Sequence, residues 1–170
     1  MLHRQSTPIC LKGLGNVSGW PGEWSPISWR MTSSSPIVHV VDDDDSVRTA
    51  VARLLRAAGY EVRVHASAGD FLLNRQSDRS GCVILDVRMP GPSGLDLQEA
   101  FAKSGDSVPI VFLSGHGDIP TSVRAIKAGA VDFLTKPVTK KALLSAVESA
   151  LARDEKNRRS ELGLPIWELA

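Results

Sequence analysis

Four acidic residues in succession, Asp42 to Asp45, close the apolar run "IVHVV". Like charges packed this closely repel one another and raise each other's pKa. The run is therefore either a solvated turn or a site that something positive makes worthwhile. Three further chemistry-bearing residues stand directly after apolar runs: Asp86 after "CVIL", Ser114 after "VPIVFL" and Lys136 after "AVDFLT". Together they amount to several carboxylates, one hydroxyl and one ammonium. A hard divalent cation such as Mg²⁺ takes oxygen ligands and keeps several waters, so two carboxylates and a backbone carbonyl suffice to hold it. The vacant positions then take phosphate oxygens. Ser114 can donate a hydrogen bond to a phosphoryl oxygen, and Lys136 can pair with it as a point charge. Asp86, at the centre, can act as the nucleophile. Alignment and charge neutralisation are the main requirements of phosphoryl transfer.

These residues lie far apart in sequence, so only a particular topology can gather them. From Pro36 to about Arg153 the chain alternates strand and helix. "PIVHVV" is a short β-branched run. "SVRTAVARLLRAAG" places Val47, Ala50, Val51, Leu54, Leu55 and Ala58 on one helical face and closes at Gly59. "EVRVH" alternates as an edge strand does, and Ser67 to Asp70 has capping-box spacing. "CVILD" and "VPIVFLS" are continuous apolar runs, as strands buried on both faces require. "SGLDLQEAFAKSG" and "IPTSVRAIKAG" read as helices, the second with Pro120 near its first turn. "AVDFLTKP" reads as the last strand, and "TKKALLSAVESALAR" repeats apolar residues at Leu143, Leu144, Val147, Ala150 and Leu151. Regular β–α alternation argues for a flavodoxin-like α/β domain, a doubly wound parallel sheet of five strands in the order 2-1-3-4-5. In that topology the ligand site lies beyond the carboxyl ends of the strands. The first strand delivers Asp42 and Asp43 there, the third Asp86, the fourth Ser114 and the fifth Lys136.

Composition excludes other classes. A net charge of +1 gives no bulk electrostatic case for nucleic acid or a membrane surface. With 42 % hydrophobic and 23 % charged residues, the chain can bury a core. No apolar stretch approaches the roughly 18 residues of a membrane span, and no h-region marks a secretory signal. Cys10 and Cys82 form no pairing pattern, and Cys82 reads as a small buried hydrophobe. The expectation is a cytoplasmic protein. Residues 1–35, rich in Gly, Ser, Pro and Trp and carrying Trp20, Trp24 and Trp29, read as a disordered leader. Met31, close before the first strand, raises the alternative that translation starts there.

"VVDDDDSVR", "CVILDVRMPGPSGLDL" and "PIVFLSGHGDIPTSVRAIKAGAVDFLTKPV" together resemble the receiver domains of bacterial two-component response regulators. The flavour is that of receivers attached to a C-terminal helix-turn-helix output domain. The resemblance spans about residues 36–153. It implies that Asp86 is the phosphorylated aspartate, Asp43 a direct Mg²⁺ ligand and Asp42 its neighbour acting partly through water. The backbone carbonyl of Arg88 is implied as a further metal ligand. Ser114 takes the switch hydroxyl position, Phe133 the switch aromatic and Lys136 the lysine, with Lys136–Pro137 matching a peptide bond that is cis in the family. Relatives accept phosphate from a histidine kinase or small phosphodonors and hydrolyse their own aspartyl-phosphate slowly. They are phosphoacceptors rather than enzymes in the ordinary sense. Movement of Ser114 and Phe133 would reshape the 119–150 surface, where an effector protein or a second copy would dock.

Simpler accounts stand beside each of these. Asp44 and Asp45 are explained by helix capping alone. His116 reads as a loop residue affecting phosphodonor access, and His39 and His65 as structural strand residues. A phosphatase with an aspartyl nucleophile would need an acid two residues on, where this sequence has Arg88. A pseudo-receiver that never carries phosphate is opposed by the complete set of Asp42, Asp43, Asp86, Ser114 and Lys136. Residues 154–170 read as a charged tail, with Arg153, Lys156, Arg158 and Arg159 forming a solvated helix end. No output domain is expected there, and hence no direct nucleic-acid binding. The chain is then a stand-alone receiver or a truncated DNA-binding regulator.

Overall fold

The computed structural model describes residues 35–163, except 77, 78 and 117. The readings made for the leader through residue 34 and for 164–170 lie outside the described residues. Strands β1 (Ile37–Val41), β2 (Glu61–His65), β3 (Gly81–Asp86), β4 (Ile110–Ser114) and β5 (Asp132–Thr135) form one sheet in the order β2-β1-β3-β4-β5. All neighbouring strands run parallel. They alternate with helices α1 (Asp45–Ala57), α2 (Ala68–Asn74), α3 (Gly94–Ser104), α4 (Ile119–Lys127) and α5 (Lys140–Glu161). The expected doubly wound order is the one observed.

The pleat explains the two cores. Successive strand side chains point to opposite faces, so Val41, Val83, Leu85, Ile110 and Phe112 meet Phe71, Leu97, Phe101 and Ala125 of α2, α3 and α4. On the other face Val38, Val40, Ile84, Val111 and Leu113 meet Val51 and Leu55 of α1 and Leu143, Ala146, Val147 and Ala150 of α5. The central strands β1, β3 and β4 are almost wholly buried, which is why they read as unbroken apolar runs.

Two helices differ from their sequence reading. In α1 the buried stripe is Val51, Ala52 and Leu55, while Ala50 and Ala58 are exposed. Small residues at the stripe's edge carry too little area to fix its phase. Helix α5 runs past Arg153 to Glu161. Its continuation is held by Asp154, a buried carboxylate that accepts from Ser80 Oγ at 2.6 Å, Gly81 N at 3.0 Å and Arg158 Nε at 3.0 Å. Arg153 donates to the Gly129 carbonyl, Arg158 also reaches the Arg79 carbonyl, and Arg159 pairs with Glu155. These arginines are engaged with the fold and with their own helix, and are not simply a solvated end. The buried apolar face stops near Leu151, so periodicity gave no sign that a polar anchor carries the helix further.

Candidate functional site

At the carboxyl edge of the sheet, β1 and β3 deliver Asp42 and Asp86 side by side because the strands are register-paired neighbours. Both carboxylates are buried, whereas Asp43 is exposed. One carboxylate oxygen from each of Asp42, Asp43 and Asp86 falls within 4.8 Å of the others. The acidic run is thus divided by position. Asp44 is the N-cap of α1, accepting from Ser46 N at 2.9 Å and Val47 N at 3.3 Å, and Asp45 pairs with Arg48.

Lys136, just beyond β5, reaches across the strand ends. Its Nζ lies 2.7 Å from Asp42 Oδ2 and 3.3 Å from Asp86 Oδ1. Burial pushes the Asp86 carboxyl above its ordinary value; the Lys136 ammonium opposes that shift and the Asp42 charge adds to it. Burial would lower the Lys136 ammonium, but its hydrogen bond to Asp42 and the charge of Asp86 outweigh it, and the net shift is upward. The site therefore holds an excess of negative charge around one shared cation. Its oxygen-rich, partly buried donor set fits a hard divalent ion.

The loops around the acids are shaped for this. Gly94 opens α3 so close to the strand that a Cβ there would stand 2.4 Å from the Asp86 carbonyl and 3.0 Å from Phe112. Ser93 and Asp96 form a reciprocal capping box that fixes the same helix start. The Ser114 hydroxyl donates to the His116 carbonyl at 2.9 Å and accepts from His116 N at 3.2 Å, so it is occupied by its own loop. Phe133 is half-buried against the core, its ring centroid 6.3 Å from that of Phe112. The Lys136–Pro137 bond is cis. His116 is exposed beside the site.

The sequence reading passed over two cations. Arg48 Nη1 donates to the Asp42 carbonyl at 2.6 Å, bracing the acidic turn; its place one helical turn after the acids was the available signal. The Arg88 side chain lies 3.9 Å from Asp118 Oδ2 across the mouth of the site. The rings of His39 and His65 are hydrogen-bonded to each other at 3.0 Å and packed edge-on to Phe71, and His65 Nδ1 lies 3.5 Å from Asp70 Oδ2.

Comparison with known proteins agrees with this geometry. Residues 38–148 match the response regulator receiver domain family. The response regulator protein TmoT of Ectopseudomonas mendocina is 48 % identical over 122 residues, 72 % of this chain and 56 % of the relative. The transcriptional regulatory protein FixJ of Azorhizobium caulinodans is 44 % identical over 141 residues, covering 80 % of this chain and 66 % of FixJ. This chain spans about half the length of several curated relatives that it matches. Among solved structures, the response regulator StyR superposes with a TM-score of 0.72 at 48 % identity, covering 76 % of this chain and 66 % of StyR. The FixJ-N structure gives 0.65 at 38 % identity, covering 70 % and 95 % respectively. The chain belongs to the response regulator receiver domain family, the phosphoacceptor module of two-component signalling.

Proposed function

We propose that this chain accepts a phosphoryl group on Asp86 from a histidine kinase and passes the change to a protein partner through the surface formed by residues 119–150. The observation that carries the reading is the position of Lys136 Nζ between the Asp42 and Asp86 carboxylates, at the point where three acids converge.

In this reading an Asp86 oxygen attacks phosphorus, a P–O bond forms, and the P–N bond to the donor imidazole breaks with its electron pair returning to nitrogen. Asp86 must be ionised to attack, and Lys136 offsets the burial that resists ionisation. Asp42, Asp43, Asp86 and the Arg88 carbonyl would hold Mg²⁺, which when bound neutralises the acids and the phosphoryl oxygens. Ser114 exchanges its bond to the His116 carbonyl for a phosphoryl oxygen. That exchange draws in the loop before α4 and makes room for Phe133 to turn. Later attack by water at phosphorus releases phosphate and restores Asp86, slowly and without a dedicated base.

The proposed output surface has a suitable texture. Ile119, Val123 and Ile126 recur along α4 and are 77 %, 44 % and 46 % exposed. An effector or a second copy would dock there. Relatives named as transcriptional regulators support a role in transcription for any longer protein of which this is the receiver. No described helix is long and apolar enough to cross a membrane, in keeping with the cytoplasmic reading. The domain would run from about 36 through the α5 anchor at Asp154.

Labelling with radioactive acetyl phosphate or a phosphorylated kinase should mark the wild type and leave Asp86→Asn blank, with an unchanged circular dichroism spectrum. Equal labelling of the variant would overturn the assignment. An unlabelled wild type would favour the pseudo-receiver.

A further inference from the structure

The side chain of Arg88 has no part in the reading above. Asp42, Asp43 and Asp86 bring three negative charges to the site, and Lys136 is shared between two of them. Arg48 is committed to the Asp42 carbonyl and the Asp45 carboxylate, and its side chain is only 15 % exposed. Arg88 differs. Its side chain is 70 % exposed and meets Asp118 Oδ2 only at 3.9 Å. That separation is too long for a hydrogen bond, and an exposed ion pair of this kind is weak and readily exchanged. Asp118 has a firmer attachment of its own, because Oδ1 accepts from Thr121 N at 2.7 Å as the N-cap of α4. It keeps its place when Arg88 leaves.

We propose that Arg88 captures the phosphodonor: its guanidinium, held in reserve by Asp118, moves to the phosphoryl oxygens arriving at Asp86. The inference rests on Asp86 being the phosphoacceptor. Three observations support it. A guanidinium presents a planar fork that matches several oxygens at once, which an ammonium cannot do. Arg88 stands two residues beyond the acceptor, with an exposed side chain. A phosphoryl group also brings negative charge that Lys136, already divided between two carboxylates, does not balance. The exchange withdraws a charge partner from the cap of α4, linking the arrival of phosphate to the helix that carries Ile119, Val123 and Ile126.

The test is a calorimetric titration of the full chain with beryllofluoride in the presence of Mg²⁺. Arg88→Ala should weaken binding about tenfold, as loss of a charge-assisted hydrogen bond implies, and Arg88→Lys should recover part of it. Asp118→Asn keeps a good capping residue while removing the competing charge, and should tighten binding about two- to fivefold, the range of an exposed ion pair. Opposite signs from the two halves of one pair distinguish capture from bracing of the loop, which would move both variants the same way. Shifts in the same direction, or none in either variant, would overturn the role of Arg88. If the wild type itself takes up no beryllofluoride, the phosphoacceptor reading falls with it. Binding by the wild type but not by Asp86→Asn preserves that reading whatever Arg88 does.

Discussion

The two edges of the sheet treat buried charge in opposite ways. At the amino edge, Asp154 satisfies a hydroxyl, a backbone N–H and a guanidinium at once. Arg75 pairs with Asp106 while lying over the rings of Phe71 and Phe101. Even there, Arg75 Nη1 is a buried side-chain atom without a partner among the described residues. At the carboxyl edge, three carboxylates converge and one ammonium pairs with two of them. One edge is closed by its own side chains, and the other gathers acids that could hold a cation. Fully paired polar networks rigidify a fold, whereas an excess of like charge stores chemical potential for a ligand.

The contrast can be broken most forcefully at Asp154. Asp154→Ala removes the acceptor that Ser80 Oγ, Gly81 N and Arg158 Nε share, and should cost about 2–4 kcal/mol in denaturant unfolding, as loss of partly buried hydrogen bonds does. A loss within error would mean the amino edge is not held as described.

The histidine pair gives the next effect. Burial lowers His39 to about 4, with His65 adding to the shift, and lowers His65 in the same direction. The unfolded chain therefore binds more protons than the folded one as pH falls. Stability contributed by the neutral pair is complete above pH 6.5 and lost progressively toward about 4. The slope is at most about 1.4 kcal/mol per pH unit for one proton. Denaturant midpoints of His39→Gln measured across that range should show a flatter pH dependence, and an unchanged slope would remove the pair from this role.

At the carboxyl edge, Mg²⁺ at ten times its dissociation constant should stabilise the wild type by about 1.4 kcal/mol. Asp43→Asn, at an exposed position, should lose that response while folding normally. The smallest effect has the opposite sign from Asp154. Without divalent ions, Asp86→Asn removes a buried charge beside Asp42 and should raise stability by about 1 kcal/mol. A decrease would show that Lys136 already balances the acids.

How much of this was legible in the sequence varied by residue. Continuous apolar runs ending in Asp86 and Ser114 announced central strands, because a strand covered on both faces admits no polar alternation. The acidic turn and Lys136 were visible as chemistry, and Asp44 as a cap. The true phase of α1, the reach of α5 and the Arg88–Asp118 pair were not visible. Ala52 is buried by what lies over it, Asp154 by partners more than seventy positions away, and Asp118 meets Arg88 only across two loops.

The order of elements, their parallel pairing and the residues left at the strand ends were determined by the sequence alone, since periodicity and turn chemistry are local. Which acids became buried, which cation they share and which arginine stands loose at the mouth were decided only by the tertiary structure. Burial and charge pairing depend on distances that chain neighbours do not set.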